Sequence, residues 1–114
     1  MTDCLFCKII HGEIATTIVY EDDKVSAFNN IEPQAPLHIL VVPRKHIATL
    51  NDLVAEDTYT VGHMIQVAQR LANKNGDGKQ GYRLVMNCNQ HGGQMVFHLH
   101  LHLLSGRQMH WPPG

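Results

Sequence analysis

The residues most able to do chemistry are three histidines that alternate with leucines, His98-Leu99-His100-Leu101-His102-Leu103. A period of two predicts a strand with the imidazoles on one face, about 6.6 Å apart, and the leucines in a core. One half-buried histidine is ordinary in a strand, but three in a row must all find partners for their ring nitrogens. Because imidazole serves as nucleophile, acid, base or metal ligand, the row predicts a functional site.

Two kinds of chemistry fit this row. His-x-His on a strand occurs in zinc enzymes with a third ligand elsewhere, so a metallohydrolase with a catalytic metal on the row is one alternative. Gly92 and Gly93 come just before the row, and glycine turns let backbone N–H groups approach an anion. The glycine pair therefore favours a phosphate ligand.

Cys4-x-x-Cys7 is a second candidate site. The three cysteines are an odd number, which is awkward for a disulfide framework and suits reduced thiols or a metal site. The spacing also occurs in redox pairs, although no thioredoxin-like βαβ pattern surrounds it. From the residues alone, a redox pair and a pair of metal ligands both remain open, and Cys88 is expected to be a plain thiol.

Composition limits the classes of partner. The 114 residues suit one domain, and a formal charge of −1 with a pI near 6.7 gives no reason to expect nucleic acid or a membrane as a partner. The sequence shows no apolar run long enough to span a membrane and no signal-peptide pattern, so we expect a cytoplasmic protein.

The elements that position these residues follow from periodicity. A short helix is predicted over residues 6–11 and a long one over 54–75, and strands are predicted at 18–20, 25–28, 37–42 and 82–86, besides the histidine strand. The long helix carries an apolar stripe for the core, formed by Val61, Met64, Ile65, Ala68, Leu71 and Ala72. The fold class is α+β, with a mostly antiparallel five-stranded sheet, one long helix and one short helix.

The chain resembles the histidine triad (HIT) family over nearly its whole length. The resemblance rests on Gly92-Gly93-Gln94, on the histidine row, and on four further motifs: Phe6-Cys7-Lys8-Ile9-Ile10, Pro33-Gln34-Ala35-Pro36-Leu37-His38-Ile39-Leu40, Pro43-Arg44-Lys45-His46-Ile47 and Gly81-Tyr82-Arg83-Leu84. The tail, residues 106–114, is similar to the Hint branch, the nucleoside phosphoramidases. The resemblance implies a single HIT domain over residues 1–114 and a homodimer in which two protomers join into one sheet.

The resemblance also assigns catalytic roles. It implies that His100 is a nucleophile that forms a covalent nucleotidyl-histidine and that His102 binds the phosphate. His38, which alone would more often be a satisfied core histidine, is implied to lie beside the nucleophile. The implied reaction cleaves the P–N bond of adenosine 5′-phosphoramidates and releases AMP, with no cofactor for catalysis.

A purine nucleotide is the implied ligand. Its implied contacts are Asn30, Ile31, Asn87, Gly93, Gln94, Met95, His100, His102 and Trp111, with Trp111 reaching the partner protomer's site. The alternatives are a hydrolase of dinucleoside polyphosphates or other nucleotidyl esters, and a non-catalytic nucleotide-binding or regulatory module.

Three positions depart from the Hint pattern. Asn30 replaces a usual aspartate, so the charge-assisted strength of its hydrogen bonds is lost. Met95 replaces a hydroxyl residue, and a thioether cannot protonate an amine leaving group. Ser105 stands where glycine is usual, a mild change. These departures leave the histidine core intact and affect the preference for substrates.

The resemblance extends to a metal. Several bacterial-type HIT proteins carry a structural zinc on two cysteines and two histidines. Cys4, Cys7, His46 and His98 match those four positions, which implies a tetrahedral Cys₂His₂ zinc site. His98 would then brace the strand that carries His100 and His102.

Overall fold

One antiparallel sheet organises the fold, and the structure, a computed structural model, describes residues 3–76 and 78–114. The strands are β1 (Ile18–Glu21), β2 (Val25–Asn29), β3 (Leu37–Pro43), β4 (Tyr82–Val85) and β5 (Leu101–Ser105), in the spatial order β1-β2-β3-β5-β4. The helices are α1 (Leu5–Ile10), α2 (Thr58–Asn75) and α3 (Asn89–Gly92). This confirms the predicted α+β class, with α3 as an additional short helix. No helix within the described ranges is long and apolar enough to cross a membrane.

The two faces of the sheet bury different clusters. Alternation along β3 sends Ile39 and Val41 to the face covered by α2, in the larger core. Leu40 and Val42 point to the opposite face, where they pack with the apolar residues of α1. Leu101 and Leu103 of β5 lie in the α2 core, so His102 between them points to the opposite face. The candidate site therefore lies on the α1 side of the sheet.

The register of β3 against β5 brings two histidines together. His38 is opposite Leu104, and Leu40 is opposite His102. Opposite residues of an antiparallel pair share a face, so His38 and His102 are diagonal neighbours on the α1 side. Residues 64 positions apart in sequence thus meet side by side.

The histidine strand is shorter than its pattern predicts. β5 begins at Leu101, so His98 and His100 precede the regular ladder. The backbone leaves β3 there because the N–H of Leu99 donates instead to the carbonyl of Ile47, at 2.6 Å. The alternation itself holds, since Leu99, Leu101 and Leu103 are all in the α2 core.

The long helix begins later than predicted. Residues Ala55–Asp57 form a separate 3₁₀ turn, in which the carboxylate of Asp57 accepts the N–H of Val54 at 3.0 Å, and α2 starts at Thr58. The predicted stripe also needs one correction, because Ile65 is 47% exposed and Val67 is buried in its place. The carboxylate of Asp57 caps a separate turn, and Ile65 lies about 100° around the helix from Met64, outside the face that the buried residues form.

Candidate active site

His100 has the geometry of a nucleophile. Its ring is buried, and its Nδ1 lies 2.8 Å from the carbonyl oxygen of His98. A carbonyl only accepts, so Nδ1 carries the proton and Nε2 keeps its lone pair. Phe6 of α1 packs edge-to-face on the ring, with centroids 5.1 Å apart. Burial lowers the pKa of His100, which keeps that lone pair available at neutral pH.

A backbone amide fixes the proton position of His38. The N–H of Gln34 donates to Nδ1 of His38 at 3.0 Å, so the neutral ring must carry its proton on Nε2. That Nε2–H lies 2.8 Å from Nδ1 of His102 and donates to it. His102 therefore carries its own proton on Nε2. The two rings form a chain of defined polarity that begins at a peptide N–H.

Both members of this chain are held neutral. Burial lowers the pKa of His38. Burial first, and then the nearby His100 and His38, lower the pKa of His102 to about 4. A second proton on either ring would also place two N–H groups face to face across a short contact. At neutral pH the site thus offers one lone pair, on His100, and one N–H donor, on His102.

The rings of His100 and His102 line a cavity of about 420 Å³, within the usual range for small-molecule sites. One side of the cavity is apolar and comes from α1, the loop after it, β2 and β3, with Leu5, Phe6, Ile9, Ile14, Phe28 and Leu40. The other side includes the polar side chains of Asn30, Gln34 and His102. An apolar slot beside a pair of histidines suits a flat aromatic group joined to a phosphate.

The structure brings most of the predicted ligand contacts to this cavity. Asn30, Ile31, Gly93, Met95, His100 and His102 line it. Ile31 and Met95 are 86% and 87% exposed, so they form its mouth. Asn87, Gln94 and Trp111 lie outside the lining. Sequence reasoning missed the wall supplied by α1, although the apolar pattern of residues 5–10 was visible.

Gln94 supports the glycine turn from within. Its Oε1 accepts the N–H of Asn89 at 2.9 Å, and its Nε2 donates to the carbonyls of Ala48 at 2.8 Å and Val96 at 3.0 Å. The side chain is buried. Beside it, Gly93 has φ +79° and closes α3, a left-handed conformation that glycine adopts without strain. Gln94 thus ties the turn to the loop after β3.

The predicted metal ligands converge. One ligand atom from each of Cys4, Cys7, His46 and His98 lies within 4.8 Å of the others. Nδ1 of His98 is 3.2 Å from Nδ1 of His46, 3.3 Å from Sγ of Cys4 and 3.5 Å from Sγ of Cys7. The edges of a tetrahedral zinc site are roughly 3.3 Å between nitrogens and 3.6 Å between nitrogen and sulfur. The donor set fits zinc in type and spacing.

His98 is prepared as a ligand by its other nitrogen. Nε2 donates to the carbonyl of Pro43 at 2.8 Å, which leaves the lone pair on Nδ1 facing the thiols. Burial, chiefly, lowers the pKa of His98 to about 4. The same residue presents its carbonyl to His100. One residue therefore connects the candidate metal-ligand cluster to His100.

Fold and site together define a class: an α+β protein in which a buried histidine with an unprotonated Nε2 and a neutral histidine pair adjoin a largely apolar cavity. The chain matches the HIT domain over residues 11–109, and it belongs to the HIT family.

Individual relatives agree with this assignment. The purine nucleoside phosphoramidase of Escherichia coli K12 is 51% identical over 107 residues, which are 94% of this chain and 90% of that protein. The crystal structure of a HIT family hydrolase from Legionella pneumophila Philadelphia 1 is 54% identical, covers 98% of this chain and 100% of that one, and has a TM-score of 0.95. A zinc-bound histidine triad family protein from Mycobacterium smegmatis is 32% identical over 92% of this chain and 76% of its own, with a TM-score of 0.80.

Proposed function

We propose that this HIT-family enzyme hydrolyses purine nucleoside phosphoramidates, with an adenosine 5′-phosphoramidate as substrate and AMP as product. The observation that carries the proposal is the bond from Nδ1–H of His100 to the carbonyl of His98, at 2.8 Å. It leaves Nε2 unprotonated on a ring that lines the cavity. The phosphoramidase relative from Escherichia coli supports the choice of substrate.

The first step transfers the nucleotidyl group to His100. The Nε2 lone pair attacks the α-phosphorus, a P–N bond to His100 forms, and the P–N bond to the leaving amine breaks. Nε2–H of His102 donates to the phosphoryl oxygens, where negative charge increases in the transition state. The leaving nitrogen takes up a proton from solvent water, because Met95 carries none and loss of the Nε2 proton would leave the neutral His102 as an imidazolate.

The second step releases the product. Water attacks the phosphorus of the AMP–His100 intermediate, the P–N bond to His100 breaks, and Nε2 recovers its lone pair. The proton that the attacking water loses passes to solvent, and His102 keeps its Nε2 proton throughout. The apolar wall of Phe6 and Phe28 holds the purine throughout.

The test is AMP release from adenosine 5′-phosphoramidate by the parent and by His100→Ala, each with and without a chelator. We expect the parent to turn over and the variant to lose at least about 10³-fold in kcat, the usual scale for loss of a nucleophile. Trapping of a nucleotidyl-protein in the parent and its absence in the variant would identify the intermediate. Turnover that survives in His100→Ala would exclude this nucleophile.

Two alternatives correspond to other outcomes of the same assay. A parent that cleaves dinucleoside polyphosphates faster than phosphoramidates would be a nucleotidyl ester hydrolase, a choice that the exposed Met95 at the cavity mouth favours. A parent that binds AMP without turnover would be a binding module. Immediate loss of activity on metal removal, with the fold intact, would indicate a metallohydrolase instead.

We further propose that Cys4, Cys7, His46 and His98 hold a structural zinc. The fit of their spacing and the zinc-bound relative support it. Zinc would cross-link α1 to the loop after β3 and to the residue that orients His100. We expect one zinc per chain by atomic emission in the parent and none in Cys7→Ser. Cys88→Ser is the matched control and should retain the metal.

We propose that the protein is a homodimer in which two sheets join through β4. β4 is an edge strand, and its Arg83 donates to the carbonyl of His110 at 2.9 Å. This bond holds the start of the tail against the β4 edge. Trp111 comes next, is 83% exposed and can reach the partner's cavity. Sedimentation of a one-protomer species at micromolar concentration would refute the dimer.

A further inference from the structure

Asn30 holds an unusual place beside the neutral histidine pair. Its backbone N–H donates to the carbonyl of His38 at 2.9 Å, which fixes where its amide lies. Oδ1 accepts the N–H of Glu32 at 3.1 Å, and Nδ2 lies 3.2 Å from Nε2 of His38. The side chain thus spans a backbone donor and a catalytic ring.

The partners of His38 leave that amide mismatched. Gln34 already donates to Nδ1, so Nε2 bears the proton and gives it to His102. Nδ2 of Asn30 is then a donor that faces a donor. Turning the amide over would pair Oδ1 with His38 and place Nδ2 against the N–H of Glu32. Either orientation leaves one mismatch, whereas a carboxylate would accept both protons.

We propose that Asn30 is a positioning residue that holds the His38–His102 pair uncharged. In the structure Nδ2 faces His38, so the partial positive charge of the NH₂ group opposes a second proton on that ring. In either orientation the uncharged amide attracts an imidazolium far less than a carboxylate would. The enzyme would therefore keep the His102 donor in its working protonation state at mildly acidic pH. This inference rests on the proposed function for its catalytic meaning, but the protonation state itself does not.

Few charged groups can override this effect. The residue of β5 that faces His38 is His102. The ring of His100 adjoins that of His102, with the two centroids 5.0 Å apart. Glu32 shares the loop and is exposed, and Arg107, after β5, is exposed and donates to the carbonyl of Gln34 at 3.1 Å. Glu32 and Arg107 carry charges of opposite sign, and water screens both charges. The packed neighbours of His38 are thus uncharged at neutral pH.

The test is Asn30→Asp, with Asn29→Asp as matched control because Asn29 is an exposed neighbour that lines the same cavity. Long-range ¹H–¹⁵N NMR of the histidine rings reports tautomer and titration directly, with His38→Gln used for assignment. We expect the Nε2–H form of His38 in the parent. In Asn30→Asp the pKa of His38 should rise by about 1 to 2 units, and in Asn29→Asp by less than half as much.

Activity gives a second readout. The acidic limb of the pH profile of kcat/KM should move to higher pH by about 1 unit or more in Asn30→Asp. On that limb kcat/KM should fall roughly tenfold, and above pH 8 it should change little. An unchanged titration of His38 in Asn30→Asp, or an Nδ1–H tautomer in the parent, would overturn the inference. If Asn30→Asp does not fold, Asn30→Ala must raise the pKa of His38 by a smaller amount, and a fall would overturn it. Absence of turnover in the parent would refute the proposed function and leave the NMR result to decide this one.

Discussion

Gln94 gives the sharpest test of how the site is held. Its amide makes three hydrogen bonds to backbone groups, from 2.8 to 3.0 Å, and its side chain is 6% exposed. Gln94→Leu keeps most of the volume and removes all three. Each such bond contributes about 1 kcal/mol net. The free energy of unfolding should therefore fall by about 2 to 3 kcal/mol.

For a domain of this size, each kcal/mol corresponds to roughly 4 °C in Tm, so Tm should fall by about 8 to 12 °C. Urea unfolding of the parent and the variant measures the loss, with an unchanged m-value as evidence that only stability differs. Gln90→Leu is the control, because Gln90 is an exposed residue of α3 and the change should cost less than about 0.5 kcal/mol.

The same variant separates a brace from a ligand contact. If Gln94 acts within the loop, KM measured well below Tm should rise by only a few-fold. A direct bond to a phosphate contributes about 1.5 to 3 kcal/mol, or roughly 10- to 100-fold in affinity. An unchanged Tm together with a tenfold or greater rise in KM would refute the structural role and restore Gln94 as a phosphate ligand.

Three further predictions concern the turn, the helix contact and the core. Gly93→Ala should lower the free energy of unfolding by about 1 kcal/mol and reduce turnover, because φ of Gly93 is +79°. Gly12→Ala, at φ +77°, should lower the free energy of unfolding by the same amount and leave turnover unchanged. Asp22→Asn should cost about 1 to 2 kcal/mol at pH 7, since Asp22 accepts from His63 at 2.6 Å. Ser26→Ala should stabilise the protein by about 0.5 to 1 kcal/mol, because within residues 3–76 and 78–114 its buried hydroxyl has no hydrogen-bond partner.

Each of these has a direct check. Equal losses of turnover in Gly93→Ala and Gly12→Ala would show that the Gly93 turn has no special role. Burial alone would raise the pKa of the Asp22 carboxyl, but hydrogen bonds from Tyr20, His63 and two backbone N–H groups lower it. The cost of Asp22→Asn should therefore shrink below about pH 4, where the unfolded carboxyl takes up its proton. A constant cost, or a Ser26→Ala variant less stable than the parent, would contradict the structure.

Local patterns predicted the strands well and the helix boundary poorly. Alternation and apolar runs depend on neighbours within a few residues, and β1, β2, β3 and β4 appear within a residue or so of their predicted limits. The start of α2 depends on the carboxylate of Asp57, which closes a separate turn and also accepts from Lys45 at 2.8 Å. The half-buried His63 of α2 lies with Nε2 2.6 Å from the carboxylate of Asp22 in the first hairpin, a contact that no local pattern predicts.

The sequence by itself singled out the candidate residues for the chemistry. The spacing of His98, His100 and His102 sorts imidazoles from leucines through a period of two, which is a local property of the backbone. The tertiary structure decided what each ring does, because a proton is placed by its partner. A carbonyl directs the proton of His100, and a peptide N–H acting through His38 directs that of His102. The carbonyl that orients His100 is only two residues away, but the His38–His102 contact joins residues 64 positions apart and forms only when the sheet does.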